Sequence, residues 1–193
     1  MRKIDRNEDA VSPVIGVMLM IVVTVVIAAI VSGFAGGMSS SQNAAPTAAL
    51  QYSIVKESAD NTVMTFKHVS GDSLKTADLR FYVSYIDSAG TPVQKRTQGV
   101  SNVSGFTNAQ GESVKATVPY LTDVKVGDVG DDATNYGNFI WNPGQIITTG
   151  NAAGFKAITG LDASSIKIGD IINIKIVDTT SQKAVFDRDV RVQ

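Results

Sequence analysis

Few residues of this chain could do covalent chemistry. Its 193 residues include one histidine and no cysteine, so the sequence offers no thiol and no disulfide. A Ser–His–Asp arrangement could use only His68, and no nucleophile-elbow or zinc motif accompanies that histidine. We therefore expect no catalytic residue, no cofactor and no enzyme activity, and we interpret His68 as a polar residue at the end of a strand.

Two other groups carry binding or modification chemistry. Asp128, Asp131, Asp132 and Asn135 form an oxygen-rich cluster of the kind that calcium prefers. Their spacing does not match the EF-hand loop, so a solvated loop is the favoured interpretation over a metal site. Asn102 begins the triplet Asn-Val-Ser, which is an acceptor sequon for N-glycosylation if this part of the chain lies outside the cell.

Charge is distributed very unevenly at the N-terminus. The first ten residues carry six charged side chains, whereas residues 11–55 carry none. The segment 14–34 is long enough to cross a bilayer as a helix, and a helix that is apolar all round must be buried in lipid or in protein. Ser12 suits the N-cap and Pro13 the first turn. Because basic residues precede the segment and none follows before Lys56, we expect the N-terminus to be cytoplasmic.

Three interpretations of this apolar segment compete. It is a secretory signal removed after the segment, a permanent single-span anchor, or a retained helix preceded by a leader that is cut on the cytoplasmic side. A secretory signal favours a positive N-terminal region and a shorter apolar stretch, whereas this leader is neutral and the apolar run is long.

The segment Asp9-Ala10-Val11-Ser12-Pro13-Val14-Ile15-Gly16-Val17 resembles the N-terminus of archaeal type IV pilins, which have a class III signal peptide. The resemblance implies that prepilin peptidase cuts between Ala10 and Val11, with Asp9 and Ser12 flanking the cut. It continues more weakly in the residues 68–79, 141–145 and 169–178. Bacterial pilins carry a glutamate at the fifth mature position, where this chain has Ile15, so an assembly mechanism based on that carboxylate is not implied.

The resemblance implies a structural subunit of an archaeal adhesion pilus. Its partners would be other pilin subunits in a homopolymer, prepilin peptidase and the pilus assembly machinery. The precursor would lie in the cell membrane, and the assembled subunit would lie in an extracellular surface pilus. The net charge of −1 and the lack of a basic stripe argue against nucleic-acid binding.

Other functions remain open at this point. The chain could be a subunit of an archaellum-like motility filament, whose subunits have the same architecture but a different N-terminal sequence motif. It could be a membrane-anchored extracellular binding module that never polymerises, or, with less support, an extracellular hydrolase.

Close packing of helices requires small side chains at their contacts. The alternative is that the glycines near the end of the segment only mark where the helix stops. The candidate packing residues are Gly16, Ala28, Ala29, Ser32, Gly33, Gly36 and Gly37.

The composition predicts four segments: a cleaved leader (1–10), a transmembrane or filament-core helix (11–35), a linker (36–49) and a head domain (50–193). In the head, hydrophobicity alternates with a period of two, which predicts strands. We expect an immunoglobulin-like β-sandwich, so that the whole chain is mainly β with one long N-terminal helix. The polar, glycine-rich residues 122–144 are predicted to form a long, irregular loop on the surface. The predicted strands are 50–55, 62–69, 79–86, 92–96, 113–118, 145–149, 170–178 and 183–192.

Overall fold

The computed structural model describes residues 13–38, 44–86 and 90–193. The chain divides into two compact units, Met1–Gln42 and Asn43–Gln193. Among the described residues, the first unit contains one helix, and the second, called the head below, contains the strands.

Helix α1 (Pro13–Met38) has 26 residues and no charged side chain. Proline is accepted at its start because the first backbone N–H groups of a helix have no partner within the helix. The helix continues through Gly36 and Gly37, which we expected to begin the linker, and the first strand starts at Ala48. Glycine lowers the stability of a helix by only about 1 kcal/mol per residue, so two glycines do not by themselves end it.

The head contains twelve strands, one α-helix and two 3₁₀ turns (Thr76–Asp78 and Ala163–Ser165). The strands and the helix are, in chain order, β1 (Ala48–Lys56), β2 (Thr62–Gly71), β3 (Leu74–Lys75), β4 (Leu79–Ile86), β5 (Pro92–Thr97), β6 (Val100–Thr107), β7 (Ser113–Val118), β8 (Tyr120–Leu121), β9 (Ile140–Trp141), β10 (Ile146–Thr148), α2 (Ala152–Thr159), β11 (Ile171–Asp178) and β12 (Lys183–Arg191).

Two four-stranded antiparallel sheets form the body of the head. The first has the order β1-β2-β10-β8, and the second has the order β12-β11-β4-β5. A parallel bridge between Ile54 and Val192 joins the end of β1 to the residue after β12. The strand pairs β3-β9 and β6-β7 form two smaller sheets.

The inward faces of the two larger sheets meet in one hydrophobic core. Met64, Phe66 and His68 of β2 alternate with less buried residues, as expected for a strand with one buried face. The ring of Phe66 lies 5.3 Å from the ring of Phe81 on β4, which joins the two sheets. On β11, the residues Ile172, Ile174 and Ile176 face this core. The core therefore lies between β2 of one sheet and β4 and β11 of the other.

The pairing register places the two ends of the head. Ala48, at the start of β1, pairs with Gly71 at the end of β2, and we call this the entry end because the chain arrives there. The strands β4 and β11 are paired so that the end of β4 lies beside the start of β11. The start of β11 pairs with the end of β12, and Val192, the residue after β12, bridges to Ile54 near the end of β1. This region therefore lies at the opposite end of the head from Ala48, and we call it the far end.

The prediction of one apolar N-terminal helix followed by a mainly β region is confirmed. The structure also contains elements that were not predicted, namely α2 and the strands β3, β6, β8 and β9. The prediction that residues 122–144 form a long surface loop is wrong in part, because Thr134, Tyr136, Phe139 and Trp141 are buried. The three aromatic residues contribute to the core, while the polar residues between them form the turns that carry them inward.

Candidate functional site: the apolar helix and the surface of the head

Helix α1 is long and apolar enough to cross a membrane over Val14–Phe34. These 21 residues span roughly 32 Å, which matches the hydrocarbon core of a bilayer. The large apolar side chains of this segment are between 46% and 71% exposed. The helix therefore presents apolar surface on every side, which requires lipid or other protein around it.

Two polar side chains, Thr24 and Ser32, interrupt this surface. Thr24 donates its hydroxyl hydrogen to the backbone carbonyl of Ile21, at 2.8 Å. A threonine satisfied in this way within its own helix is compatible with an apolar environment. The hydroxyl of Thr24 therefore does not oppose burial of the helix.

The predicted packing residues lie on α1, and the helix arranges most of them in two lines. Residues four positions apart lie on one face of a helix, which aligns Ala28, Ser32 and Gly36 and, beside them, Ala29, Gly33 and Gly37. Gly16 lies near the other end of α1. A methyl group added to Gly33 or to Gly16 would meet no atom within 4 Å. A Cβ is therefore accommodated at both positions in the isolated chain.

The predicted cut site, formed by Asp9, Ala10, Val11 and Ser12, lies outside the described residues. The position of the cut therefore stays a prediction that rests on the residues themselves.

Asn102 lies on β6 and is exposed. Its backbone has a φ of 60°, and the register between β6 and β7 shifts on both sides of Val103. Asparagine adopts this left-handed conformation more readily than most residues. Ser104, the third residue of the sequon, is exposed as well, so the whole triplet is accessible on an irregular strand.

The aspartates of the loop 128–132 act as acceptors for backbone N–H groups. Asp131 Oδ2 accepts a hydrogen bond from the N–H of Asp128 at 2.7 Å, and the Asp128 carboxylate accepts from the N–H groups of Val129 and Ala109. Within the described residues, no group of three His, Cys, Asp or Glu side chains is placed to hold a metal ion. The carboxylates of Asp128 and Asp131 thus have a local structural function.

His68 lies within β2 and is fully buried, so the interpretation as a strand-end residue is wrong. Its Nδ1 lies 3.1 Å from the carbonyl oxygen of Trp141, and the two rings meet edge to face. Trp141 is also fully buried and donates from its indole N–H to Gln145. The histidine and the tryptophan therefore belong to the core at the entry end.

The attachment of the chain at the entry end of the head was not predicted from the sequence. The N–H of Thr47 donates to Asp72 Oδ2, and the N–H of Asp72 donates to the Thr47 carbonyl, both at 2.8 Å. A methyl group on Gly71 would lie 2.2 Å from that same carbonyl oxygen. Since the partner is 25 residues away in sequence, no local signal could have revealed the contact.

The N-terminal part of the chain matches a known family. Residues 9–50 match the family described as archaeal Type IV pilin, N-terminal. The matched segment includes the predicted cut site, the whole of α1 and the start of β1. A search of the curated proteins found no match to the chain. The match agrees with the resemblance seen in the residues 9–17, and it identifies the N-terminal part of the chain as similar to the N-terminal domain of archaeal type IV pilins.

Proposed function

We propose that this chain is the precursor of a structural subunit of an archaeal adhesion pilus. Prepilin peptidase removes residues 1–10, and α1 anchors the subunit in the cell membrane until it is assembled. The assembly machinery then transfers it into a surface filament, in which the helices of many copies form the apolar centre and the heads form the outside.

The observation that carries this proposal is the uniform apolar surface of α1. The helix has no charged residue, the hydroxyl of Thr24 is satisfied within the helix, and the apolar side chains are exposed all round. Such a helix suits lipid and suits a bundle of similar helices equally well. Because lipid tails are as apolar as valine, transfer between these environments gains little from the hydrophobic effect. Close packing and contacts between heads must then favour the filament.

Removal of the leader has a physical reason in this proposal. The leader contains Arg6, Glu8 and Asp9 directly before the helix. Charges that enter a dry helix bundle without partners are strongly unfavourable. The cut between Ala10 and Val11 removes all six charged side chains of residues 1–10 and leaves a mature N-terminus whose first side chains are uncharged.

We further propose that the head is an immunoglobulin-like sandwich. If the strands of the two larger sheets are lettered in chain order as A, B, C, C′, D, E, F and G, the sheets have the orders A-B-E-D and G-F-C-C′. Immunoglobulin domains have A-B-E-D facing C-F-G, and variable-type domains add C′ beside C. The β6-β7 pair and α2 are insertions into this frame. A compact sandwich of this kind can be carried on the outside of a filament without disulfides.

The deciding experiment is to identify the N-terminal peptide of the protein by mass spectrometry in filaments sheared from the cell surface. We expect the chain to begin at Val11. A chain that begins at Met1 would contradict processing and would favour an anchored surface domain. A chain that begins after Phe34 would indicate a secretory signal and a secreted head, and would equally overturn the proposal.

A further inference from the structure

The far end of the head contains an open cleft. It has a volume of about 1110 Å³ and lies between the β4-β5 pair and the segment that leads into β11. The apolar residues Ile86, Val93, Leu161, Ile166 and Ile172 contribute to its lining. The lining residue Ile86 is 73% exposed, and Ile168, which lies in sequence between the lining residues Lys167 and Gly169, is 72% exposed. Apolar surface at the far end is therefore available to a partner.

The charged side chains of the cleft are mainly acidic. Asp170 and Asp189 line it together with one basic residue, Lys167. Each carboxylate uses one oxygen within the head: the N–H of Lys167 donates to Asp170 Oδ2 at 2.8 Å, and the Asn173 amide donates to Asp189 Oδ1 at 2.9 Å. The other oxygens remain for a ligand. The cleft therefore suits an apolar ligand that carries a positive charge.

The entry end presents a matching feature. The side chain of Val124 is 89% exposed, and Val126 in the same loop is 40% exposed. Lys125 lies between them, and its ammonium has no carboxylate within ion-pairing distance among the described residues. The loop follows β8, which pairs with β10. Because Ile146, at the start of β10, pairs with Lys67 near the end of β2, the loop lies at the entry end.

The shape of the loop is set by its own hydrogen bonds. The N–H of Val126 donates to the Asp123 carbonyl at 2.9 Å, and the Lys125 N–H donates to Asp123 Oδ1 at 3.1 Å. The Gln145 amide donates to Asp123 Oδ2. These bonds from Gln145 and Lys125 hold the pKa of the Asp123 carboxyl below its usual value. The Lys125 ammonium also acts electrostatically on Asp123, although it lies outside ion-pairing distance of any carboxylate among the described residues. The loop is therefore a built turn that projects Val124, with the Asp123 carboxylate engaged in hydrogen bonds.

We propose that the cleft at the far end of one head takes the loop Val124-Lys125-Val126 of a second copy. The valines contact the isoleucines of the cleft, and the Lys125 ammonium approaches the free oxygens of Asp170 and Asp189. This inference rests on the proposed function, since it describes how heads meet within the filament.

A second copy fits the cleft better than a small molecule does. Pockets for small ligands enclose most of their ligand in about 300–1,000 Å³, whereas this cleft is larger and open to one side. An open filament also requires two different patches on each subunit, so that each copy binds the next one and leaves an end free. The cleft and the loop are such a pair, since they lie at opposite ends of the head.

Disulfide cross-linking tests the proposal in intact filaments, because the natural chain has no cysteine. A chain that carries both Val124→Cys and Ile168→Cys should form a ladder of covalent multimers when sheared filaments are oxidised. The matched control carries Val124→Cys and Ser101→Cys, since Ser101 is exposed but lies on β6 outside the cleft. We expect no ladder from this control.

The outcomes separate this inference from the proposed function. Filaments that form normally but give no ladder from the Val124–Ile168 pair, or an equal ladder from the control, would overturn the head contact and leave the pilin function intact. Failure of the natural chain to form filaments would instead overturn the proposed function.

A second variant tests the contact without cysteines. Val124→Asp should reduce the yield of sheared filaments at least about tenfold, which corresponds to about 1.4 kcal/mol. Ile140→Asp is the control, since Ile140 is another exposed apolar residue, on β9. Resistance of the membrane-held precursor to protease verifies that both variants fold. An equal loss of filaments from both variants, or no loss from Val124→Asp, would contradict the proposal.

Discussion

Gly71 decides whether the chain can attach at the entry end. Its φ is +111°, and an added methyl group would lie 2.2 Å from the carbonyl oxygen of Thr47. Gly71→Ala therefore combines a strained backbone with a clash against a carbonyl that also accepts a hydrogen bond from Asp72. We expect this variant to lose roughly 2 kcal/mol of stability.

The control for this variant is Gly137→Ala. Gly137 has a similar φ of +98°, but a methyl group there would meet no atom within 4 Å. Chemical denaturation of the full chain in detergent can be followed by the fluorescence of Trp141, which is the only tryptophan and is fully buried. Equal losses in the two variants would show that the contact with Thr47 contributes nothing beyond the positive φ.

Ser104 gives a clean test of glycosylation at Asn102. Replacement of Asn102 itself would disturb a left-handed backbone position, whereas Ser104 is exposed and its side chain is needed only for the sequon. Ser104→Ala should therefore lower the mass of the surface protein by the mass of one glycan. Ser101→Ala should leave the mass of the glycan unchanged. An unglycosylated natural chain, or a glycan that persists in Ser104→Ala, would refute modification at this sequon.

At the scale of the elements, α1 carries the assembly prediction. Gly33→Leu replaces a small residue on the line Ala29, Gly33 and Gly37 by a large apolar one. A Cβ added at Gly33 meets no atom within 4 Å, and a leucine side chain is compatible with lipid. We expect membrane insertion to be unchanged and the filament yield to fall at least about tenfold, since helices in close contact depend on small residues.

The matched control is Val31→Leu, which enlarges an exposed apolar residue that lies outside the two lines of small residues. Filaments in the sheared fraction and precursor in the membrane fraction are measured for both variants. A normal filament yield from Gly33→Leu would mean that this face of α1 does not make close contacts.

The elements also show what the sequence could predict. Strands with one buried face, such as β4 and β11, were predicted because their alternation of apolar and polar residues is a local property. Helix α2 was missed although its signals are present: Asn151 caps its start by accepting from the N–H of Gly154, and Gly160 ends it with a φ of +81°. Its eight residues were too short for a periodic pattern to outweigh the β character of their surroundings.

The candidate site divides in the same way. The apolar surface of α1 follows from composition alone, so the sequence was sufficient to predict it. The cleft of the far end could not be predicted, since it is made by β4, β5 and the segment before β11, which are far apart in sequence. The same holds for the burial of His68 against Trp141, which depends on the pairing of β2 with the chain around β10.

At the scale of the whole molecule, the distribution of charge predicts orientation. Residues 1–10 contain three basic side chains, and no other basic residue occurs before Lys56. The positive-inside rule then places the leader in the cytoplasm and the head outside. In the variant Ala10→Trp, a bulky residue replaces the small one before the cut, and we expect the leader to be retained and the precursor to stay in the membrane without forming filaments.

This retained leader makes the orientation measurable, again because the natural chain has no cysteine. In the Ala10→Trp background, a maleimide that cannot cross membranes should label Ser101→Cys in intact cells and should label Asn7→Cys only after lysis. Ala10→Ser, with a small residue at the cut, should be processed and assemble as the natural chain does. Labelling of Asn7→Cys in intact cells would place the leader outside, where a cytoplasmic cut could not occur. Normal filaments from Ala10→Trp would contradict the predicted cut between Ala10 and Val11.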